Sequence, residues 1–206
     1  MDPRVQSVID EYHVRMERET AVMRALSMEE IEERKNSMLI AIGPETAQFL
    51  TNLIKGYAAQ TIVELGASYG YSTIWFADAA RATGGRVISF ELDASKVDYI
   101  RGRLEQAGLS EYVEFRIGDA TKLLADWNTA IDFALIDLWK DLYIPCFDLM
   151  LPRLTPGAFV AADNMLQPPA YRAMGDLYRQ HVHSAGCFDS VLLPIGSGVE
   201  LSRLRK

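Results

Sequence analysis

The spacing of apolar residues changes near residue 56. Before that point apolar positions recur at helical intervals, which predicts an amphipathic helix over about residues 4–20. Ser27 and Glu30 have the spacing of a capping box and predict a second, short helix. Pro44 and Glu45 suit the first turn of a third helix, which Gly56 would end. The apolar face of the first helix consists of Val5, Val8, Ile9, Tyr12 and Met16.

After residue 56 short apolar runs alternate with helical segments, a pattern typical of a parallel sheet that is covered on both faces. The predicted strands are Thr61–Leu65, Arg86–Glu91, Val113–Ile117, Ile131–Ile136 and residues 158–162. The predicted helices lie at about residues 70–81, 97–107, 120–127, 143–153 and 169–183.

The last two predicted strands, Phe188–Leu193 and Val199–Leu204, are joined by only five residues. A link this short permits an antiparallel hairpin but no crossover. We therefore expect an α/β fold with a mostly parallel seven-stranded sheet, a C-terminal antiparallel hairpin and N-terminal helices. One domain would span residues 1–206, with the N-terminal helices and a lid over residues 1–55 and the core over residues 56–206.

Composition and charge make several classes of protein less favoured. The 28 acidic and 21 basic residues give a net charge of -7, which disfavours nucleic-acid binding because that binding depends on clustered Lys and Arg. Cys146 and Cys187 form no CxxC pair, so neither a disulfide framework nor a thiolate metal site is expected. The sequence contains no apolar run long enough to span a bilayer and no charged-then-apolar leader. We expect a cytoplasmic protein without a membrane partner.

A glycine-containing turn follows the first predicted strand. Gly66 and Gly70 let the backbone turn sharply and approach a ligand closely, just before a helix begins. The turn has the pattern GxxxG rather than the GxGxxG that binds a dinucleotide pyrophosphate, which favours S-adenosylmethionine (SAM) over NAD. An ordinary tight turn is the alternative interpretation.

Acidic residues follow the next two predicted strands. Glu91 can accept both hydroxyls of a ribose, and its position one strand after the glycine turn favours this role over that of a solvated loop acid. Asp119, followed by Ala120, lies where it could border an adenine ring. Asp119 also suits a helix N-cap, and the two roles are compatible.

Oxygen ligands follow the fourth and fifth predicted strands. Asp137, Asp163 and Asn164 would meet at one edge of the sheet and suit a hard cation such as Mg²⁺, Mn²⁺ or Ca²⁺. The alternative is that the two aspartates only cap helices. Lys140 lies one turn after Asp137, where a surface charge is one interpretation. Beside a cation its pKa should fall, which favours a general base.

These motifs together resemble the cation-dependent O-methyltransferases, the group that contains catechol O-methyltransferase and caffeoyl-coenzyme A O-methyltransferase. The similarity covers about residues 38–204 and depends on the segments Val63-Glu64-Leu65-Gly66 with Gly70-Tyr71-Ser72, Asp137-Leu-Trp-Lys140-Asp141-Leu-Tyr143, and Asp163-Asn164. The resemblance implies a Rossmann-like fold and a methyltransferase that acts on a metal-chelated hydroxyl of a small, phenolic acceptor.

The resemblance also implies roles for residues at matching positions. Asp137, Asp163 and Asn164 would hold Mg²⁺, and Lys140 would take the proton of the attacking hydroxyl. Glu91 would bind the ribose of SAM. The other residues that the resemblance places around SAM are Ile42 in the lid, Glu64, Gly66, Gly70, Tyr71, Ser72 and Asp137 near the methionine end, and Ala120 and Trp139 beside the adenine.

The acceptor and the partners are less defined. The catechol branch has a glutamate in its sixth strand, and the matching stretch, residues 190–194, contains no carboxylate, so catechol itself is doubtful. Met165 and Tyr171 border the acceptor pocket or pack on the next helix. His181 and His183 form an HxH pair that we interpret as helix-end residues. The apolar stripe of the first helix packs on its own chain or forms a homodimer contact.

Two other functions are compatible with the sequence. One is a tRNA wobble-uridine O-methyltransferase, whose basic patch would consist of Arg172, Arg179, Arg203, Arg205 and Lys206. The other is a non-catalytic sensor of SAM or a nucleoside, against which the presence of Lys140 and the acidic set argues. Nucleic-acid binding would depend steeply on salt.

Overall fold

The computed structural model of this chain describes residues 1–205, except for the side chains of Met28 and Glu32. Within these residues a seven-stranded sheet forms the centre of the molecule. Its strands are β1 Thr61–Leu65, β2 Arg86–Glu91, β3 Val113–Ile117, β4 Ile131–Ile136, β5 Leu154–Ala162, β6 Phe188–Leu193 and β7 Val199–Leu204.

The strand order in the sheet is β3-β2-β1-β4-β5-β7-β6. The first five strands pair in parallel, whereas β7 is antiparallel to both β5 and β6. The predicted fold class, a mostly parallel sheet with a C-terminal antiparallel hairpin, is therefore confirmed. The order in which successive strands are added to the sheet reverses between β1 and β4, the kind of position at which open α/β sheets bind ligands.

The strand β5 begins earlier than the sequence predicts. Residues 158–162 were expected, but the strand starts at Leu154, which pairs with Ile131 across a register irregularity. Pro156 and Gly157 interrupt the apolar pattern and resemble a turn, with Gly157 at φ 88°. The sheet accommodates them because the irregularity removes the need for continuous ladder hydrogen bonds at this point.

The helices are α1 Pro3–Met23, α2 Met28–Arg34, α3 Pro44–Tyr57, α4 Tyr71–Thr83, α5 Ala94–Ala107, α6 Ala120–Ala125, α7 Tyr143–Met150 and α8 Arg172–Ser184. The capping box of α2 is present, with Ser27 and Glu30 each accepting from the backbone of the other. The predicted helices near 143–153 and 169–183 are shorter. Each has a 3₁₀ turn in place of its proline-containing end, Leu151–Arg153 and Pro169–Tyr171 respectively.

Two apolar layers cover the sheet. Residues of α1, α3, α4 and α5 form one core, and residues of α6, α7 and α8 form the other. Val5, Ile9 and Tyr12 of α1 are fully buried in the first core. The apolar stripe of α1 thus packs on its own chain, and the homodimer contact considered for it is not supported. Among the described residues, no helix has the length and apolar character needed to cross a membrane.

Candidate active site

The carboxyl ends of β1, β4 and β5 bring three predicted site segments side by side. Backbone hydrogen bonds continue the sheet past the strand ends, from Asp137 N to the carbonyl of Leu65 (2.9 Å) and from Asp163 N to the carbonyl of Ile136 (3.1 Å). The glycine turn that follows β1 therefore lies beside Asp137, and Asp137 lies beside Asp163.

The turn at residues 66–70, called the cofactor turn below, is in close contact with Asp137. A Cβ atom at Gly66 would overlap the backbone carbonyl of Asp137, and Gly66 has φ 94°. Only glycine fits both conditions without strain. Gly70, at φ 86°, similarly leaves no room for a side chain beside Ile100. Both glycines are thus needed for the close approach of the turn to neighbouring parts of the chain.

Glu64 is a buried acid beneath the cofactor turn. Its Oε2 accepts hydrogen bonds from Thr73 Oγ1 (2.7 Å) and Ser89 Oγ (2.5 Å), while its Oε1 has no partner among the described residues. Burial raises its pKa, and the charge of Asp137 adds to that increase. Ser72, also predicted to contact SAM, is buried at the start of α4. An unpartnered buried acceptor here suits a ligand that donates a hydrogen bond.

Glu91 is hydrogen-bonded to the backbone of the cofactor turn. Its Oε2 accepts from Ser68 N at 2.8 Å, and its Oε1 accepts from Leu92 N at 2.8 Å and Asp93 N at 3.0 Å. The carboxylate therefore has a fixed orientation at the end of β2. Asp119 is the N-cap of α6 and accepts from Thr121 N at 2.9 Å, as one of its two predicted roles requires.

Other predicted cofactor residues differ in how exposed they are. Ile42 and Ala120 are buried at 3% and 8% exposure, whereas the side chain of Trp139 is 46% exposed. The Lys35 ammonium lies 4.2 Å from the centre of the Trp139 ring. Tyr71 differs from this group because its hydroxyl bonds His13 of α1 at 2.9 Å. Its predicted contribution to the cofactor site would come from its backbone.

Asp163 is a fully buried acid whose side-chain oxygens lack hydrogen-bond partners among the described residues. Burial, with repulsion from Asp137, raises its pKa to about 8. Burial also raises the pKa of Asp137 to about 6, although Lys140 opposes the change. Neither aspartate caps a helix, since both α7 and α8 begin without a side-chain cap.

Lys140 lies against Asp163. Its Nζ donates to the carbonyl oxygen of Asp163 at 2.7 Å and to the Tyr143 hydroxyl, which donates to the same carbonyl at 3.2 Å. Burial lowers the pKa of Lys140 to about 8, and the two aspartates oppose this decrease. Tyr143 was not predicted as a site residue, although it lies three residues after Lys140, one helical turn away.

The donor set fits a hard cation. Asp137, Asp163 and Asn164 offer carboxylate and amide oxygens, and the unpartnered oxygens of Asp163 are those that a cation would satisfy. Among the described residues no three His, Cys, Asp or Glu side chains form a metal site. The predicted set therefore depends on the amide of Asn164, which has φ 56°, as its third protein donor.

Comparison with known proteins assigns the family. A family model described as a methyltransferase domain matches residues 63–165, which is half of the chain. The chain belongs to this methyltransferase family. The prediction of an enzyme is thereby confirmed at the level of the family.

Individual relatives of the chain are O-methyltransferases. The chain is 33% identical over 132 residues to a catechol O-methyltransferase of Niastella koreensis, covering 62% of this chain and 59% of that relative. It is 28% identical over 186 residues to caffeoyl-CoA O-methyltransferase 2 of Zea mays, covering 80% of this chain and 70% of that relative. The chain thus spans less than two thirds of the Niastella protein. The predicted resemblance to these two groups is confirmed.

Solved structures share the fold of this methyltransferase. An O-methyltransferase from Bacillus cereus, solved in complex with SAH, has a TM-score of 0.76 and 22% identity, covering 100% of this chain and 92% of that one. The O-methyltransferase TomG from Streptomyces achromogenes, solved with SAM, has a TM-score of 0.72 and 25% identity, covering 85% of this chain and 87% of that one. The Rossmann-like methyltransferase fold is therefore confirmed.

A buried glutamate of the methyltransferase lies in β7 rather than β6. Glu200 is fully buried and pairs with Leu192 and Ala162 in the sheet. Its oxygens bond Arg179 Nε at 2.8 Å and His183 Nε2 at 3.1 Å, both in α8. Its position in the sequence did not predict a site residue. Glu200 is thus bound to α8 and does not replace the glutamate missing from residues 190–194.

The segment after Asn164 contacts α8 of the methyltransferase. Met165 is 1% exposed, and its backbone and sulfur lie close to Gly175, so packing on the next helix accounts for this residue. Arg179, one of the basic residues considered for a tRNA patch, pairs with Glu200 and lies 3.6 Å from Asp176. Lys206 of that patch lies outside the described residues.

Proposed function

We propose that this methyltransferase transfers the methyl group of SAM to a hydroxyl of a small, phenolic acceptor and requires a divalent cation. The observation that carries the proposal is the fully buried, unpartnered carboxylate of Asp163. A buried carboxyl group without hydrogen-bond partners destabilises a protein, so its presence beside a lysine of lowered pKa and a glycine turn is best explained by function.

SAM would lie across the carboxyl ends of β1 and β2. Gly66 brings the cofactor turn against the backbone of Asp137, and the free Oε1 of Glu64 can accept from the SAM amino group. Glu91, oriented by three backbone amides, has remaining acceptor capacity for the ribose hydroxyls. The SAH- and SAM-bound relatives in the same fold support this assignment.

The cation would be held by Asp137, Asp163 and Asn164, and the all-oxygen set favours Mg²⁺ with Mn²⁺ or Ca²⁺ as alternatives. When bound, it supplies a Lewis acid that lowers the pKa of an acceptor hydroxyl. Lys140 accepts the proton of that hydroxyl at Nζ, because its pKa of about 8 leaves a useful fraction of free amine near neutral pH.

The protein also positions the reaction. Methyl transfer requires the acceptor oxygen to lie in line with the methyl–sulfur bond, so the fixed relation between Gly66 and Asp137 contributes by aligning cofactor and acceptor. Tyr143 holds the Lys140 amine beside the carbonyl of Asp163. The partly exposed Trp139 offers an aromatic surface against which the adenine of SAM can pack.

A transfer screen tests the proposal. Labelled SAM is incubated with catechols, hydroxycinnamoyl esters, flavonoids and bulk tRNA, each with Mg²⁺ and with EDTA. We expect transfer to a phenol that EDTA abolishes and a decrease of about 100-fold or more in Lys140→Ala, the size of a typical general-base contribution. The control is Lys122→Ala, at an exposed position of α6, which should retain wild-type activity.

Each other outcome contradicts a defined part of the proposal. Transfer that EDTA leaves unchanged refutes the cation, and near-normal activity of Lys140→Ala with excess Mg²⁺ refutes the base. Transfer to tRNA alone, with steep salt dependence, would indicate the nucleic-acid function instead. Binding of SAM without methyl transfer to any of these phenolic compounds or to tRNA would indicate a sensor.

A further inference from the structure

Helix α1 contacts both segments that border the predicted cofactor site, the cofactor turn and the lid at residues 38–43. Tyr12 of α1 is fully buried and donates a hydrogen bond from its hydroxyl to the backbone carbonyl of Tyr69 at 2.6 Å. Tyr69 lies within the cofactor turn. This contact joins residues that are 57 positions apart in the sequence.

The cofactor turn needs such support because its backbone is unusual. Gly66, Ser68 and Gly70 have φ values of 94°, 49° and 86°, and Ser68 is a residue that seldom adopts a positive φ. Conformations of this kind persist only where the surrounding structure holds them in place. The hydrogen bond from Tyr12 to Tyr69 fixes the middle of the turn from outside the sheet.

A second set of contacts connects the turn to the lid. The Arg15 guanidinium lies 4.1 Å from the centre of the Tyr69 ring, and Arg15 Nε donates to Glu19 Oε1 at 2.7 Å. Glu19 Oε2 accepts from the backbone amide of Leu39, in the lid, at 2.5 Å. The side chains of Arg15 and Glu19 are only 17% and 14% exposed, so water screens their attraction less than at an open surface.

We propose that Tyr12, Arg15 and Glu19 are positioning residues that hold the cofactor turn and the lid at the separation that SAM binding requires. This rests on the proposed function, because SAM is the ligand concerned. The three residues lie on one helix and contact neither Lys140 nor the predicted cation ligands in the described contacts. Their effect is therefore on cofactor affinity, transmitted through Tyr69 and Leu39.

Titration calorimetry of SAM binding tests the inference. Tyr12→Phe keeps the ring and removes only the hydroxyl, and Glu19→Ala removes the acceptor for the lid amide. We expect each to raise the Kd for SAM about 3- to 10-fold, as the loss of one hydrogen bond predicts. Glu19→Gln, which keeps a side-chain oxygen for Leu39, should restore most of the affinity. The matched control is Gln6→Ala, whose side chain bonds Asp10 on the exposed face of α1.

Two further readouts separate positioning from a general loss of stability. The KM for SAM should rise in Tyr12→Phe and Glu19→Ala while the KM for the acceptor stays unchanged. Hydrogen–deuterium exchange should increase at residues 66–70 in the first variant and at residues 38–43 in the second. The double variant Arg15→Ala/Glu19→Ala should have a Kd for SAM no higher than that of whichever single variant binds SAM less tightly. The reason is that both residues belong to the same series of contacts between the cofactor turn and the lid.

The inference is overturned if the wild-type protein binds SAM and the Tyr12→Phe and Glu19→Ala variants bind SAM as tightly as the control Gln6→Ala does. The proposed function would survive that result. A wild-type protein that fails to bind SAM overturns the proposed function itself. The Kd values are measured in the absence of any acceptor, so they do not depend on finding the substrate.

Discussion

Replacing Asp163 by asparagine should stabilise the cation-free protein against unfolding. The same substitution should abolish the additional stability that the protein gains when it binds a divalent cation. The substitution keeps the size and shape of the side chain and removes the carboxylate that is fully buried without a partner. Sites that are strained for function are expected to show this exchange of stability for activity. The prediction therefore separates a functional carboxylate from one that supports the fold.

The magnitude follows from the pKa of Asp163, which burial raises from 3.8 to about 8. In the cation-free protein at pH 7, folding must protonate this group, which costs about 1.4 kcal/mol for each pH unit above its ordinary pKa, or about 4 kcal/mol. An asparagine amide avoids this cost but leaves its own buried polar atoms unpartnered, at about 1–3 kcal/mol. We expect a net gain of about 1–3 kcal/mol for the variant.

The dependence on pH has a defined sign. The folded state holds the Asp163 proton between pH 3.8 and about 8, whereas the unfolded state has lost it, so the stability of the cation-free protein falls as pH rises through this range. Asp137, with a pKa raised to about 6, contributes in the same direction only up to that pH. Burial also raises the pKa of Glu64 and lowers that of Lys140 to about 8. The contribution of Asp163 between pH 6 and 8 is therefore the difference between the wild-type slope and the slope of Asp163→Asn, which should be flatter.

Urea denaturation in EDTA and in excess Mg²⁺, from pH 6 to 8, measures these effects. Wild-type protein should gain about 2.7 kcal/mol when Mg²⁺ is present at 100 times its Kd, and the variant should gain little. Asp126→Asn, at an exposed position, is the control for the loss of one charge. The reasoning is refuted if Asp163→Asn is less stable than wild type in EDTA at pH 7, or if Mg²⁺ stabilises both proteins equally.

Two other substitutions test contacts that the site depends on. Gly66→Ala should lose SAM binding and cost more than about 2 kcal/mol, because it combines a strained φ with backbone overlap. Gly84→Ala, at φ 74° with open space around it, is the control and should cost only about 1 kcal/mol; equal effects of the two would contradict the overlap. Arg179→Ala should cost about 3 kcal/mol in urea denaturation by leaving the buried Glu200 carboxylate with His183 alone. If Arg179→Ala and Arg172→Ala, at an exposed position of α8, lower the free energy of unfolding by amounts that differ by less than about 0.5 kcal/mol, the Arg179–Glu200 pair does not stabilise the packing of α8.

Local signals account for the parts of the fold that the sequence predicted well. The capping box of α2 depends on residues three positions apart, and the strand Thr61–Leu65 is a short apolar run between polar residues. The start of β5 depends instead on pairing between Leu154 and Ile131, which are distant in the sequence. Pro156 and Gly157 carry a strong local turn signal, and the sheet overrides it at an irregular register.

The predicted site residues were identifiable for a topological reason. Asp137 and Asp163 each follow an apolar strand, and adjacent parallel strands bring both to one edge of the sheet. No such rule exists for Tyr143, whose contact with the carbonyl of Asp163 depends on how α7 packs. Glu200 alternates with apolar neighbours in β7, a pattern that usually indicates a solvated face. It is buried instead because α8 covers that face.

The apolar stripe of helix α1 correctly predicts that the helix is buried, but it does not predict the contacts of the helix with the cofactor turn and the lid. Its apolar stripe predicted burial, and Val5, Ile9 and Tyr12 are indeed buried, with α1 packed against helices α4 and α5 of the methyltransferase. The same periodicity would describe a helix that contributes only to the core. What distinguishes α1 is the polar end of a buried residue, the Tyr12 hydroxyl on the carbonyl of Tyr69, and the path from Arg15 through Glu19 to the lid. Because these contacts join segments 20 and more residues apart, only the folded structure relates the first helix to the cofactor site.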